Sequence, residues 1–201
     1  MSIIQEFEVE DKRLKQEVIN CKKCELHKNR KNPVIGEGKL HSKLMIIGEA
    51  PGKNEDIKGR PFVGRAGKLL DELTHSIGLE REDVYITNII KCHPPKNRNP
   101  LKKEIVACKS YLDRQIAIIQ PAVIATLGNF SSSHILEKYN IESKTISIIH
   151  GKIFHIKSNS SDISIVPLYH PAAAIYNPNL KDVLLKDFKS VSLALLQNSN
   201  K

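Results

Sequence analysis

At 201 residues the chain is long enough to bury a single-domain core, and lysine plus arginine outnumber aspartate plus glutamate by 31 to 22. No stretch approaches the roughly 18 uninterrupted apolar residues of a membrane helix, and the start, M-S-I-I-Q-E-F-E-V-E, lacks the basic and apolar regions of a secretory leader. The expectation is a cytoplasmic protein with reduced thiols and no membrane partner, whose net charge of +9 favours a polyanion, most often nucleic acid.

Along the chain, Cys21 and Cys24 come first, as a tight C-K-K-C knuckle followed by Lys28, Arg30 and Lys31. Residues 44–48, L-M-I-I-G, read as a buried strand ending in glycine. The loop after it, G-E-A-P-G, lacks the lysine and hydroxyl residue of a nucleotide P-loop. Phe62 then stands alone in G-R-P-F-V-G, as suited to an exposed stacking platform as to a core. Leu69, Leu70, Leu73 and Ile77 make a helical stripe closed by Gly78.

A second strand over residues 84–90 carries Asn88 near its end and runs into K-C-H-P-P, where a proline pair stops regular structure and holds Cys92. Asn99 and Pro100 predict a helix start, as N-cap and first helical residue. Apolar residues recur from there at Ile105, Cys108, Leu112, Ile116 and Ile119. Further strands are expected over 123–128 and 163–169, helices over 131–139 and 180–196, and a hairpin over 146–156. His170 ends the last strand and precedes H-P-A-A-A's small residues.

Two patterns follow. Alternating strands and helices predict an α/β layer fold with a mainly parallel sheet, whose ligands bind beyond the carboxyl ends of the strands. G-E-A-P-G, N-I-I-K-C-H-P-P and H-P-A-A-A should therefore share one edge. The four cysteines, one knuckle plus two distant singles, suit an iron–sulfur cluster, with a zinc site or unrelated core thiols as the alternatives. Cys108 also fits a buried helix stripe.

Taken together, C-K-K-C, G-E-A-P-G with Glu55-Asp56, G-R-P-F-V-G-R-A-G, T-N-I-I-K-C-H-P-P-K-N-R-N-P, Cys108 and H-P-A-A-A resemble the family 4, iron–sulfur uracil-DNA glycosylases over almost the whole chain. The resemblance implies one domain over residues 1–201, an α/β/α sandwich around a four-stranded mainly parallel sheet, with a segment of about residues 1–32 packed onto it. It implies a structural 4Fe–4S cluster on Cys21, Cys24, Cys92 and Cys108. It also implies a monomer that removes uracil from single- or double-stranded DNA.

By the same resemblance Gly48, Glu49 and Ala50 contact the base, Phe62 stacks on it, Asn88 reads its edge, and Glu55 lies near C5 to exclude thymine. His170 is the donor to O2. Family 1 enzymes hold a water-positioning aspartate where this chain has Ala50, which leaves Glu49 as the nearest substitute. Ala174 or Ile175 would fill the stack that the base vacates. No basic insertion between Gly59 and Leu69 suggests the covalent relative of the superfamily. Without the resemblance, a single-strand binding module or a redox protein would account for the basic surface and the cysteines.

Overall fold

The computed structural model describes residues 3–157 and 162–199. Its strands are β1 (Glu37–Gly38), β2 (Leu44–Gly48), β3 (Tyr85–Asn88), β4 (Val123–Leu127), β5 (Phe154–Ile156) and β6 (Ile163–Leu168). Its α-helices are α1 (Ile3–Ile19), α2 (Lys53–Lys58), α3 (Arg65–His75), α4 (Lys102–Ile119), α5 (Asn129–Lys138), α6 (Ile146–Ile149), α7 (Pro171–Tyr176) and α8 (Asn179–Ser199).

The sheet order is β1-β3-β2-β4-β6-β5. The four central strands run parallel, as expected. Among the described residues the sheet nevertheless has six strands rather than four, because β1 and β5 add antiparallel edges. Side chains on successive strand residues point to opposite faces. Leu44 and Ile46 accordingly enter one core with α3 and α8, whereas Met45 and Ile47 enter the other with α4 and α5. Every residue of β2, β3, β4 and β6 is buried, which explains why these strands are mostly apolar on both faces.

Several boundaries differ from the sequence pattern. The expected hairpin over 146–156 is a one-turn helix, α6, followed by β5, which pairs with β6 instead of folding back on residues 146–149. Ile146 and Ile149 face the core three positions apart, a helical spacing. α4 starts at Lys102 with Leu101 as N-cap, later than Asn99, because the Glu104 carboxylate accepts the Leu101 N–H at 2.8 Å. α3 ends at His75, ahead of Ile77, and Gly78 makes the following turn at φ +76°.

The N-terminal segment forms α1 and a short 3₁₀ turn, Glu25–Lys28. Leu14 and Val18 pack against Tyr111 and Ile118 of α4. Arg114 of α4 bridges Glu10 and Glu17 of α1. Beyond the 3₁₀ turn, the buried Asp56 carboxylate accepts the Lys31 N–H at 3.0 Å, and Asn32 Nδ2 donates to the Asp56 carbonyl at 2.9 Å. Residues around 30–32 are thereby tied to α2, at the edge of the cleft described next.

Candidate active site and cysteine centre

The loops after β2, β3 and β6 open on one cleft of about 590 Å³. Glu49, Ala50, Glu55, Phe62, Asn88 and His170 all line it, so six residues from separate parts of the sequence reach one place. Gly48 lies beneath them. It pairs with Asn88 in the parallel register of β2 and β3. A Cβ at Gly48 would stand 2.4 Å from Asn88 Oδ1 and 2.8 Å from Phe62 Cζ. Only glycine leaves room for the amide and the ring at that strand end.

Phe62 is 7% exposed, so the platform is not an open one. Its ring stacks on His170, with centroids 5.7 Å apart and planes at 26°. Its backbone has φ +50°, an uncommon conformation for a residue with a side chain, found where surrounding contacts over-determine the local geometry. Those contacts are visible. Val63 N–H donates to Glu55 Oε1 at 3.0 Å, and Arg81 Nη2 donates to the Pro61 carbonyl at 2.5 Å. Gly67 packs so tightly that a Cβ there would overlap the Phe62 carbonyl oxygen. One Glu55 oxygen is therefore committed to shaping the Phe62 loop.

His170 is the N-cap of α7, and its Nδ1 accepts the Ala172 N–H at 3.1 Å. A neutral imidazole carries one proton, so this bond places it on Nε2 and leaves that nitrogen as a donor. Burial of the ring pushes the His170 pKa down to about 4, although the nearby Glu55 charge pulls it up. The ring is therefore neutral near pH 7. Asn88 is 2% exposed. Burial raises the pKa of the half-buried Glu49, which lines the same cleft.

The rim sorts the remaining expectations. Ile175 lines the cleft, whereas Ala174 is 7% exposed and belongs to the core beneath α7, so it is not presented to a ligand. Tyr176, next in sequence, is 85% exposed. Sequence reasoning passed over it because a lone tyrosine after small residues carries no periodic signal. Lys53 and Arg65 also line the cleft, and both are exposed. Arg98 lines it too, but its guanidinium is held by both oxygens of the buried Glu104, at 2.9 and 2.6 Å.

Cys21, Cys24, Cys92 and Cys108 line a second, much smaller cavity, between the end of α1, the loop after β3 and α4. None of the four is joined in a disulfide. Cys108 thus serves both expectations, lying on the α4 stripe and facing the other cysteines. Arg30 Nη1 donates to Cys92 Sγ at 3.0 Å, an arrangement suited to a thiolate acceptor. Burial pushes the thiols of Cys24 and Cys92 up, and that of Cys108 to about 11. Protons, or a metal centre in their place, must neutralise such sulfurs. Among the described residues no three Cys, His, Asp or Glu side chains form a site for one metal ion. The donor set of four converging sulfurs, with a guanidinium beside one, fits a cluster that spreads its ligands over several metal atoms.

A sequence profile of the uracil DNA glycosylase superfamily matches residues 35–191. The chain is 51% identical to a type-4 uracil-DNA glycosylase of Sulfurisphaera tokodaii over 89% of its own length and 82% of that protein's. It is 52% identical to a type-4 uracil-DNA glycosylase of Saccharolobus solfataricus, over 89% and 83% of the two chains. Against a type-4 uracil-DNA glycosylase of Archaeoglobus fulgidus the identity is 46% over 88% of each.

Proposed function

The chain belongs to the uracil-DNA glycosylase superfamily, and on that footing we propose that it hydrolyses the N-glycosidic bond of deoxyuridine. Free uracil and an abasic site are the products, in the first step of base excision repair. Both single- and double-stranded DNA are substrates in this reading, and the protein acts as a single-domain monomer in the cytoplasm. What carries it is the meeting of Phe62, Asn88 and a neutral, Nε2-protonated His170 in one cleft.

The target nucleotide leaves the stack, at a cost of a few kcal/mol that is smaller in a single strand. Uracil then stacks on Phe62. The Asn88 amide donates to O4 and accepts from N3–H. Cytosine presents an amino donor and a bare N3 at those positions, and each mismatch leaves a buried group unpaired, at about 1–3 kcal/mol. Backbone around Gly48, Glu49 and Ala50 holds the uracil carbonyls. Glu55 excludes the thymine methyl while its bond to Val63 fixes the stacking loop.

As the C1′–N1 bond breaks, its electron pair passes to the uracil ring and C1′ gains oxocarbenium character. The His170 Nε2–H donates to O2, where the negative charge collects, without first needing a proton from solvent. Water adds to C1′ and loses its proton. We assign that proton to Glu49, the nearest carboxylate substitute for the family 1 aspartate, and burial, by raising its pKa, makes it a better base than an exposed carboxylate. No lysine is assigned a Schiff-base role, so the sugar–phosphate backbone stays intact.

The 4Fe–4S cluster in this reading is held by Cys21, Cys24, Cys92 and Cys108. When bound it supplies a structural cross-link and no chemistry at the glycosidic bond. Its cross-link joins the end of α1 to the loop after β3.

The test is an end-labelled oligonucleotide carrying one uracil, incubated with anaerobically purified protein without added metal and then treated with alkali. Cleavage at uracil, and none at a matched cytosine or thymine, is expected. Intact uracil oligonucleotide with protein that keeps its cluster absorbance would contradict the proposal.

A further inference from the structure

Lys91 precedes Cys92 in sequence and reads as one more basic residue of a surface stretch. The structure places it elsewhere. It is 1% exposed and among the largest fully buried side chains. Its Nζ donates to Thr87 Oγ1 and to the Asn88 carbonyl, both at 2.7 Å. Those acceptors are neutral, and among the described residues no carboxylate forms an ion pair with it. A buried ammonium without an anion costs several kcal/mol. It lines the cavity of the four cysteines, whose sulfurs are the groups there that would carry negative charge as thiolates.

The backbone of Lys91 is committed as well. Its carbonyl accepts the Val34 N–H at 2.7 Å, and the residue lines the cysteine cavity beside Cys92 and Cys108. The residue thus contacts three things at once: the sulfur centre, the chain leading from the N-terminal segment, and the end of β3. Arg30 approaches the same centre through Cys92 but also bonds the carbonyls of Ile19 and Cys21, and it makes no bond to β3. Among the described residues that line the cysteine cavity, Lys91 is the one whose side chain bonds Asn88.

We infer that Lys91 is a positioning residue, the buried counter-cation of the four-thiolate centre, which through Thr87 and the Asn88 carbonyl fixes the strand end that carries the base-reading amide. The inference rests on the proposed cluster. Four thiolates leave a 4Fe–4S centre net negative, so a cation in contact with it stabilises the reduced state. The same ammonium holds the Asn88 backbone, so the centre and the amide share one anchor, and the link requires no electron transfer during excision.

The test compares wild type with Lys91→Met, Lys91→Arg and Thr87→Val, reading cluster absorbance, midpoint potential and single-turnover excision of uracil from a single strand. Lys91→Met should move the potential negative and slow excision at least tenfold, with Lys91→Arg recovering part of both. Thr87→Val keeps the cation and loses one tether. It should retain the cluster and its potential while slowing excision several-fold, and it keeps the test decisive if Lys91→Met fails to fold. Wild-type excision rates in Thr87→Val and in any folded Lys91→Met would overturn the link, whatever the potential does. An unchanged potential in Lys91→Met would overturn the counter-cation role. Wild-type protein purified without cluster absorbance would instead overturn the cluster reading beneath the inference.

Discussion

His170 shows how much one hydrogen bond decides. Because Ala172 N–H donates to Nδ1, the proton sits on Nε2, and because burial lowers the pKa to about 4 the ring stays neutral. The linkage sign follows. The folded pKa lies below the unfolded value of about 6.5, so the unfolded chain binds the proton first as pH falls. The histidine's contribution to stability is complete above pH 6.5 and is lost progressively between about 6.5 and 4, amounting to about 3 kcal/mol over the full shift. Urea midpoints measured from pH 7 to 4 should fall less steeply for His170→Asn than for wild type. Parallel profiles would contradict the assignment.

Gly48 gives a second residue-scale prediction. Gly48→Ala would drive a methyl into Asn88 Oδ1 and the Phe62 ring, so excision should drop by about tenfold or more, with a stability loss of about 1–3 kcal/mol from overpacking. Single-turnover rates and denaturant midpoints check both. At this scale much was legible in the sequence. Gly48 and Asn88 end buried strands and His170 follows one by two residues, and the rule that α/β sheets bind at those ends brings Asn88 and His170 to one cleft with Gly48 beneath it. The Phe62 conformation and the burial of Lys91 were not legible. The first is set by Arg81 and Gly67, and the second by the packing of the cysteine loop against β3.

Among the elements, α7 is the one on which the proposed DNA engagement can be tested. This six-residue helix, capped by His170, buries Ala174, sets Ile175 on the cleft and leaves Tyr176 exposed. In the proposed reaction a large side chain near the cleft, such as Tyr176, can occupy the stack that the base vacates, which is needed in duplex and not in single strands. Tyr176→Ala should therefore slow excision from duplex DNA by about tenfold while leaving single-strand rates within about twofold. Equal losses on both substrates would remove α7 from that role. The parallel core strands were readable as apolar runs because both of their faces are covered. The edges were not, since β1 has two residues and β5 three, too few to show a period.

For the whole molecule, the cysteine centre is a clasp between sequence-distant parts. Cys21 and Cys24 follow α1, Cys92 follows β3, and Cys108 lies in α4. Oxidative removal of the proposed cluster should loosen the N-terminal segment and the loop that begins at Cys92. Proteolysis near residues 20–32, resisted by the loaded protein, would report it, and an unchanged digestion pattern would contradict the clasp. The net charge of +9 was a sound pointer to nucleic acid, but composition could not sort its members. Arg114, Arg81 and Arg98 are spent on internal ion pairs, whereas Lys53 and Arg65 are exposed at the cleft.

The central claim is that one buried amide, Asn88, makes this cleft a uracil pocket. Single-turnover excision from a uracil oligonucleotide should be compared for wild type and Asn88→Ala, with the cluster spectrum recorded for each. Wild type should release free uracil, and Asn88→Ala should be slower by about a hundredfold or more with its spectrum unchanged. Normal excision by Asn88→Ala would contradict the account of the pocket.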